Sequence, residues 1–281
     1  MKYSFNTWVY SSFPTWLPSY PLEEVIRRLA RIGYQGIEIG AAAPHAYPKH
    51  LDSERRKFIS KVLKDNNIEV SAMLPAPGGG QGVNVASPYP EERNDAIAYY
   101  IDVVRLCAEW GGKVVIWVGG WQIFGTRRKD AFSWSAESLY KVAKEALKEE
   151  ITIVVEPTPA DSNLIETADD ALELMDEVSL PNVKVMFDTY HVLYRNEVIS
   201  DYVYRMGNNL AHIHVSDTDR LPPGSGQADF RPFLQALKDI NYDGWLSFEI
   251  GFDRRNDPDS LAKKAIEYMK EIEASSYNFT K

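Results

Sequence analysis

Apolar residues fall into two patterns that alternate along the whole chain. Short, nearly continuous apolar runs are typical of parallel strands buried on both faces, and longer stretches with apolar residues at helical spacing are typical of amphipathic helices. The predicted strands are Tyr3–Tyr10, Gly36–Gly40, Ile68–Leu74, Lys113–Val118, Ile151–Glu156, Val183–Asp188, Leu210–Val215 and Trp245–Ile250. The predicted helices are Pro21–Ile32, Asp52–Asn66, Pro90–Trp110, Ser135–Lys148, Thr167–Val178, Ile199–Met206, Phe230–Ile240 and Asp257–Ile272.

This alternation predicts the fold. Eight strand–helix units in a chain of 281 residues leave about 35 residues for each unit, which suits a βα crossover. No Gly/Ser/Pro-rich linker divides the chain. We therefore predict an α/β protein with one (β/α)₈ TIM-barrel domain over residues 1–281, in which residues 273–281 form a frayed tail.

Composition and charge exclude several classes of partner. The chain carries 31 Lys and Arg against 40 Asp and Glu, and its net charge of −9 disfavours a nucleic-acid partner. Its one cysteine, Cys107, can form neither an internal disulfide nor a Cys-rich zinc site. The sequence shows no signal-peptide pattern and no apolar run that would span a membrane. We expect a cytoplasmic protein without a membrane partner.

Polar side chains end four consecutive predicted strands. Glu156, Asp188 and Glu249 lie at or near the ends of strands five, six and eight, and His214 lies near the end of strand seven. A TIM barrel places its active site at this end of the strands, so these side chains should converge. A lone acid there is usually a helix cap, but three crowded carboxylates without a cation would repel one another. Three carboxylates and an imidazole suit Mn²⁺, Mg²⁺ or Co²⁺.

Two histidines on strand seven need to be distinguished. His212 and His214 are two residues apart and therefore share a face of the strand. His214 lies nearer the C-terminal end and is the better ligand, whereas His212 is predicted to lie lower in the barrel interior or to be a core histidine. Asp217 either orients a ligand or caps the following loop.

At these residues the sequence resembles the xylose-isomerase-like sugar isomerase/epimerase superfamily, which includes D-tagatose, D-psicose and fructoselysine 3-epimerases. The matching stretches are VVEPTPADSN at 154–163, MFDTYH at 186–191, HIHVSDTDR at 212–220, PGSGQADF at 223–230 and SFEI at 247–250. The resemblance implies that Glu156, Asp188, His214 and Glu249 ligate one divalent metal ion. Mn²⁺ is the usual metal, with Mg²⁺, Co²⁺ and Zn²⁺ as alternatives, and the protein is expected to be a homodimer or homotetramer.

The resemblance also implies roles in catalysis and substrate binding. Glu156 and Glu249 match the glutamates that exchange the proton, and His191 and Arg220 match positions that hold substrate oxygens. One departure concerns Ser162, which stands where the ketose 3-epimerases have a glutamate. Asp161 either substitutes for that glutamate or the contact is lost.

Further candidates for substrate binding come from position alone. His45 follows strand two and Trp117 lies on strand four, where an aromatic face could pack against a sugar. The alternatives are a surface histidine and a core tryptophan. Arg127, Arg128 and Lys129 could bind a phosphate, but such runs are usually solvated, so we expect a non-phosphorylated sugar.

These residues predict an isomerase or epimerase that removes a proton next to the carbonyl of a ketose or keto-sugar derivative. Glu156 and Glu249 would flank the substrate, and the reaction would pass through an enediolate. A lyase on the same scaffold is the alternative: an inosose or dehydroshikimate dehydratase, or a C-glycoside-cleaving enzyme. A DNA-repair endonuclease of this fold is disfavoured by the five histidines and the net charge. The four candidate ligands argue against a non-catalytic binding protein.

Overall fold

Eight parallel strands close into a barrel in which each strand pairs with the next and the last pairs with the first. The computed structural model describes residues 1–11, 19–76, 84–251 and 257–276. The strands are β1 (Lys2–Asn6), β2 (Gly36–Gly40), β3 (Glu69–Leu74), β4 (Val114–Val118), β5 (Thr152–Glu156), β6 (Val183–Asp188), β7 (Leu210–Val215) and β8 (Trp245–Phe248). The predicted (β/α)₈ barrel is confirmed.

Helices connect the strands on the outside of the barrel. They are α1 (Leu22–Ile32), α2 (Ser53–Asp65), α3 (Pro90–Glu109), α4 (Arg128–Lys148), α5 (Ala168–Val178), α6 (Thr189–Tyr194), α7 (Ile199–Met206), α8 (Arg231–Asp239) and α9 (Pro258–Ser276). Short 3₁₀ turns occupy Thr7–Tyr10, Pro48–His50, Gly207–Asn209 and Thr218–Arg220. Within the described residues, no helix is long and apolar enough to cross a membrane.

Several boundaries differ from the prediction for local reasons. β1 ends at Asn6 rather than Tyr10, because the Asn6 side chain accepts a hydrogen bond from the backbone N–H of Trp8 and starts a 3₁₀ turn. The sequence pattern missed α6 altogether: its first turn is capped by Asp188, which accepts from the N–H of Tyr190 over 2.9 Å.

The two ends of the chain are joined at the last helix. α9 continues to Ser276, beyond the predicted end at Ile272. Glu273 accepts hydrogen bonds from the N-terminal amine of Met1 over 2.9 Å and from the Tyr3 hydroxyl over 2.7 Å. These contacts hold Glu273, the first residue of the predicted frayed tail, and residues 277–281 lie outside the described residues.

The barrel interior is divided into an apolar part and a polar part. A small buried cluster inside the barrel consists of Trp8, Ala72, Leu74, Ile116, Val154 and Met186. The polar part contains Glu38 on β2, which reaches across the barrel to His212 and His214 on β7. The much larger apolar core lies between the strands and the outer helices. This arrangement places buried ionisable groups directly beneath the C-terminal mouth of the barrel.

Candidate active site

Four ligating side chains meet at the C-terminal end of the strands. One ligand atom from each of Glu156, Asp188, His214 and Glu249 lies within 4.8 Å of all the others. The strand register explains this, since Asp188 on β6 lies beside His214 on β7 and Glu249 follows the end of the adjacent β8. His214 Nδ1 is 3.0 Å from Glu156 Oε1 and 3.2 Å from Glu249 Oε2.

This donor set fits a divalent cation. Two ligand atoms in adjacent positions around an octahedral ion, each about 2.1 Å from it, lie about 3 Å apart. The two separations from His214 Nδ1 match that spacing. Three carboxylates with one imidazole are the chemistry of a hard or borderline metal. Glu156, Asp188, His214 and Glu249 are therefore able to hold one such ion together.

Arg220 balances part of the negative charge. Its Nη1 donates to Asp188 Oδ2 and, over 2.5 Å, to Glu249 Oε2. Burial raises the pKa of Asp188 to about 7 although Arg220 opposes the shift, and burial also raises the pKa of Glu156. Burial acts on Glu249 in the same sense, but Arg220 and His214 outweigh it and hold the pKa of Glu249 well below its usual range. The two glutamates that flank His214 therefore differ in proton affinity.

His191 and Asp161 extend the site beyond the three carboxylates and the imidazole. His191 on α6 is buried, and burial lowers its pKa to about 3, so the ring is neutral. Its Nε2 is 3.5 Å from both Asp161 Oδ2 and Arg220 Nη2. Ser162 turns toward the neighbouring loop after β4 and donates to the carbonyl of Gly120 over 2.6 Å. Asp161, and not Ser162, lies beside the histidine.

Arg220 is held in place by an aromatic ring and by its backbone. The guanidinium lies 4.3 Å from the centre of the Tyr190 ring, a residue that the sequence analysis did not select. Asp219 and Arg220 both adopt left-handed backbone conformations, at φ 57° and 59°. The carbonyl of Arg220 accepts from the N–H of Gly251. Arg220 is therefore part of a built site and is not a solvated loop arginine.

Asp217 organises the loop that carries Arg220. Its two carboxylate oxygens accept hydrogen bonds from four backbone N–H groups, over 2.8–3.1 Å; these belong to Thr218, Gly224, Gly226 and Ala228. A Cβ at Gly226 would lie 2.4 Å from Asp217 Oδ1, which explains a glycine at that close approach. Of the two roles left open for Asp217, the structure shows loop capping.

Asp217→Asn is expected to destabilise the protein by about 2–4 kcal/mol, because the amide group cannot accept the hydrogen bonds that a carboxylate oxygen takes. The same change should lower kcat/KM about ten- to a hundredfold, since it loosens the backbone of Arg220. Urea unfolding and initial rates measure the two effects. Asp219→Asn is the matched control in the same loop: Asn tolerates the left-handed backbone there, and a loss similar to that of Asp217→Asn would contradict the capping role.

Two residues predicted to bind substrate lie elsewhere. Trp117 is fully buried on the outer face of β4, with its ring 4.5 Å from that of Tyr100 on α3, because the neighbouring Ile116 takes the inward position. His45 is also buried, and its Nε2 is 2.9 Å from the carbonyl oxygen of Tyr20. Both side chains are core residues, which corrects the prediction.

His45 is expected to make the folded state sensitive to acid. Burial lowers its pKa from 6.5 to about 4, so the unfolded chain takes up the proton first as the pH falls. The resulting loss begins near pH 6.5 and reaches about 2–3 kcal/mol at pH 4.5. His45→Gln keeps a donor for Tyr20 but does not titrate. Urea unfolding at pH 7 and 4.5 should show a smaller loss in the variant, and equal losses would refute the assignment.

One buried carboxylate at the site escaped the sequence analysis. Glu38 on β2 is fully buried and lies 2.9 and 3.0 Å, through its two oxygens, from Nε2 of His214. It contacts Nε2 of His214, whereas Glu156 and Glu249 contact the other ring nitrogen, Nδ1. Its signal in the sequence is a single acid inside the short apolar strand GIEIG.

Residues 26–272 match the family model of the xylose isomerase-like TIM barrel, and the chain belongs to that family. The resemblance found in the sequence is thereby confirmed. Fructoselysine 3-epimerase of Shigella flexneri is 23% identical over 258 residues, which cover 90% of this chain and 93% of that protein. D-psicose 3-epimerase of Ruminiclostridium cellulolyticum is 29% identical over 233 residues, which cover 80% and 76%.

A solved structure shows the same fold over nearly the whole length. It is that of D-psicose 3-epimerase with D-tagatose from Clostridium cellulolyticum, with a TM-score of 0.83, 22% identity, and coverage of 97% of this chain and 99% of that one. These three relatives are named as sugar epimerases. The chain is an enzyme of the sugar isomerase/epimerase class, as the sequence predicts.

Proposed function

We propose that the chain is a divalent-metal-dependent epimerase of the ketose 3-epimerase type, acting on a non-phosphorylated ketose or keto-sugar derivative. The observation that carries the proposal is the placement of Glu156 and Glu249 on either side of His214 Nδ1, at 3.0 and 3.2 Å. Two carboxylates that flank one point can serve the two faces of a substrate carbon. The names of the relatives support the same reaction class.

The side chains divide the work of a proton transfer. When bound, a divalent cation such as Mn²⁺ would polarise the substrate carbonyl and acidify the adjacent C–H. Glu249, kept ionised by Arg220, removes the proton from one face, and Glu156 returns a proton to the other. In the reverse direction the two glutamates exchange roles.

Arg220, His191 and Asp161 orient the substrate. Arg220 and His191 present nitrogen atoms at the edge of the ligand cluster and can hold a carbonyl or hydroxyl oxygen. Asp161 is half exposed beside them and can accept a hydrogen bond from a sugar hydroxyl. Fixing these oxygens limits rotation about the bond next to the reacting carbon.

The charges near the mouth favour a neutral sugar over a sugar phosphate. Arg127 is bound to Asp130 through two 2.8 Å hydrogen bonds, and Arg128 donates to Asp170 and to the carbonyl of Leu164. Both arginines are therefore already engaged, while Asp161 adds negative charge at the substrate position. A phosphate would gain little from this surface.

A substrate panel with Mn²⁺ tests the proposal. Free ketoses, phosphorylated ketoses, inosose and 3-keto-glycosides are incubated with the enzyme, and both epimers and elimination products are scored. Formation of a C3 epimer from a free ketose is the expected result. Loss of water or of an aglycone, without any epimer, would instead establish a lyase.

We also propose that the enzyme is a cytoplasmic homo-oligomer, a dimer or a tetramer. Support comes from the resemblance and from apolar side chains that are exposed on the monomer, among them Phe124 and Val198. Light scattering on the purified protein measures the assembly, and a monomer at micromolar concentration would contradict the proposal.

A further inference from the structure

Glu38 has no place in the proton transfer, yet three hydrogen-bond donors converge on its carboxylate inside the barrel. Asn6 Nδ2 donates to Oε1 over 2.6 Å, and His212 Nε2 lies 2.6 Å from Oε2. His214 Nε2 lies between the two oxygens, at 2.9 and 3.0 Å. The residues of this polar cluster are buried, so the carboxylate depends on these contacts in place of water.

The two nitrogens of His214 face opposite surroundings. Nδ1 faces Glu156 and Glu249, while Nε2 faces Glu38. A histidine that binds a metal needs a free lone pair on the metal-facing nitrogen, and the hydrogen bond of the other nitrogen decides where the proton sits. An ionised carboxylate only accepts, so Glu38 requires a proton on Nε2. Glu156 and Glu249 make the same demand on Nδ1 in the metal-free protein, but a cation held by these glutamates would take the Nδ1 lone pair and leave the proton on Nε2.

We propose that Glu38 is the positioning residue of the metal centre: it fixes the tautomer of His214 that leaves Nδ1 free for the cation, and Asn6 and His212 in turn hold Glu38. This inference rests on the metal site of the proposed function. Glu38 touches neither substrate nor cation, and acts only through His214.

The same three side chains could be considered as a second cation site, since Glu38, His212 and His214 also form a compact ligand group. The contacts argue against it. Each Glu38 oxygen already lies at hydrogen-bonding distance from at least one N–H donor, and Asn6 Nδ2, which cannot ligate a metal, binds the oxygen shared with His214. The geometry is that of a carboxylate that accepts a hydrogen bond from the histidine nitrogen that does not face the metal.

Glu38→Gln is the most direct variant, because it preserves the shape of the side chain. With its carbonyl held by Asn6, the new amide N–H₂ points at the Nε2 atoms of His212 and His214, where donors already lie. A histidine can relieve this clash by moving its proton to Nδ1, which in His214 removes the lone pair offered to the metal. We expect Mn²⁺ to bind about 10- to 100-fold more weakly, as measured by calorimetry with MnCl₂ and without substrate.

Asp161→Asn is the matched control, since it removes one negative charge near the same site without touching His214. We expect its Mn²⁺ affinity to stay within about threefold of the wild-type value, because a screened charge at this distance acts weakly. An equal loss of affinity in both variants would show that charge alone matters, and the positioning role would be refuted. Melting curves of the metal-free proteins show that each variant is folded.

Nitrogen NMR on the Zn²⁺-loaded wild-type protein tests the inference without any variant. His214 is expected to bind the metal through Nδ1 and to carry a proton on Nε2, shifted downfield by Glu38. Ligation through Nε2 would overturn the inference even if Glu38→Gln fails to fold. If the wild type binds no metal, this inference and the metal site fall together. If it binds metal but forms no epimer, only the proposed reaction fails.

Discussion

Glu249→Gln is expected to lower kcat for epimerisation about 10³- to 10⁴-fold, at the upper end of what general acid–base groups contribute, because it removes both the proton acceptor and a metal ligand. Glutamine keeps the shape of the side chain, so the packing around the site is preserved. Initial rates are measured at saturating Mn²⁺ so that weaker metal binding does not account for the loss. Retention of the wild-type rate by Glu249→Gln and also by Glu156→Gln would refute the mechanism.

Hydrogen exchange separates the two glutamates. In Glu156→Gln, Glu249 can still remove the substrate proton from its own face, but no acid returns one to the other face. In heavy water this variant should therefore incorporate deuterium into one epimer without forming the other. Glu249→Gln should show the same behaviour from the opposite epimer. Exchange that stays strictly coupled to epimerisation in both variants would contradict a two-base reaction.

The four candidate metal ligands could be predicted because each lies where a short apolar run ends, and such an end is visible in the sequence. Glu156, Asp188 and Glu249 each lie at or directly after the end of an apolar run, and parallel strands bring such ends to one mouth. Only the repeat of strand and helix is needed to infer that they meet. The structure brings together the same four side chains that the sequence selects.

The side chains that hold these ligands and Arg220 in place could not be predicted in the same way. Glu38 and His212 are 174 residues apart, and their contact crosses the barrel rather than following adjacent strands. Trp117 was misplaced because a continuous apolar strand such as VVIWV does not indicate which positions face inward. Tyr190 lies in a helix too short for apolar periodicity, so its contact with Arg220 has no signal beyond proximity to His191.

Removing divalent cations is expected to lower the rate at least about 10²-fold, since a Lewis acid contributes several kcal/mol to the transition state and 1.4 kcal/mol is a factor of ten. Dialysis against a chelator prepares the metal-free enzyme, and elemental analysis of the dialysed protein verifies that the metal has been removed. Adding back Mn²⁺ should restore the rate, and it should stabilise the fold by about 2.7 kcal/mol at a hundred times the Kd. A verified metal-free enzyme with full activity would refute the metal requirement.

Asp188→Asn provides the sharper form of the same prediction, because it should change stability in opposite directions with and without metal. Burial raises the pKa of Asp188 from 3.8 to about 7, so ionising it costs stability as the pH of the metal-free protein rises through that range. At pH 8 the metal-free variant should therefore melt higher than the metal-free wild type. Mn²⁺ should raise the melting temperature of the wild type but have little effect on the variant. General damage to the fold would lower the melting temperature of the variant both with and without Mn²⁺. The loss of a buried, metal-binding carboxylate instead predicts that the variant melts higher than the wild type without Mn²⁺ and lower than the wild type with it.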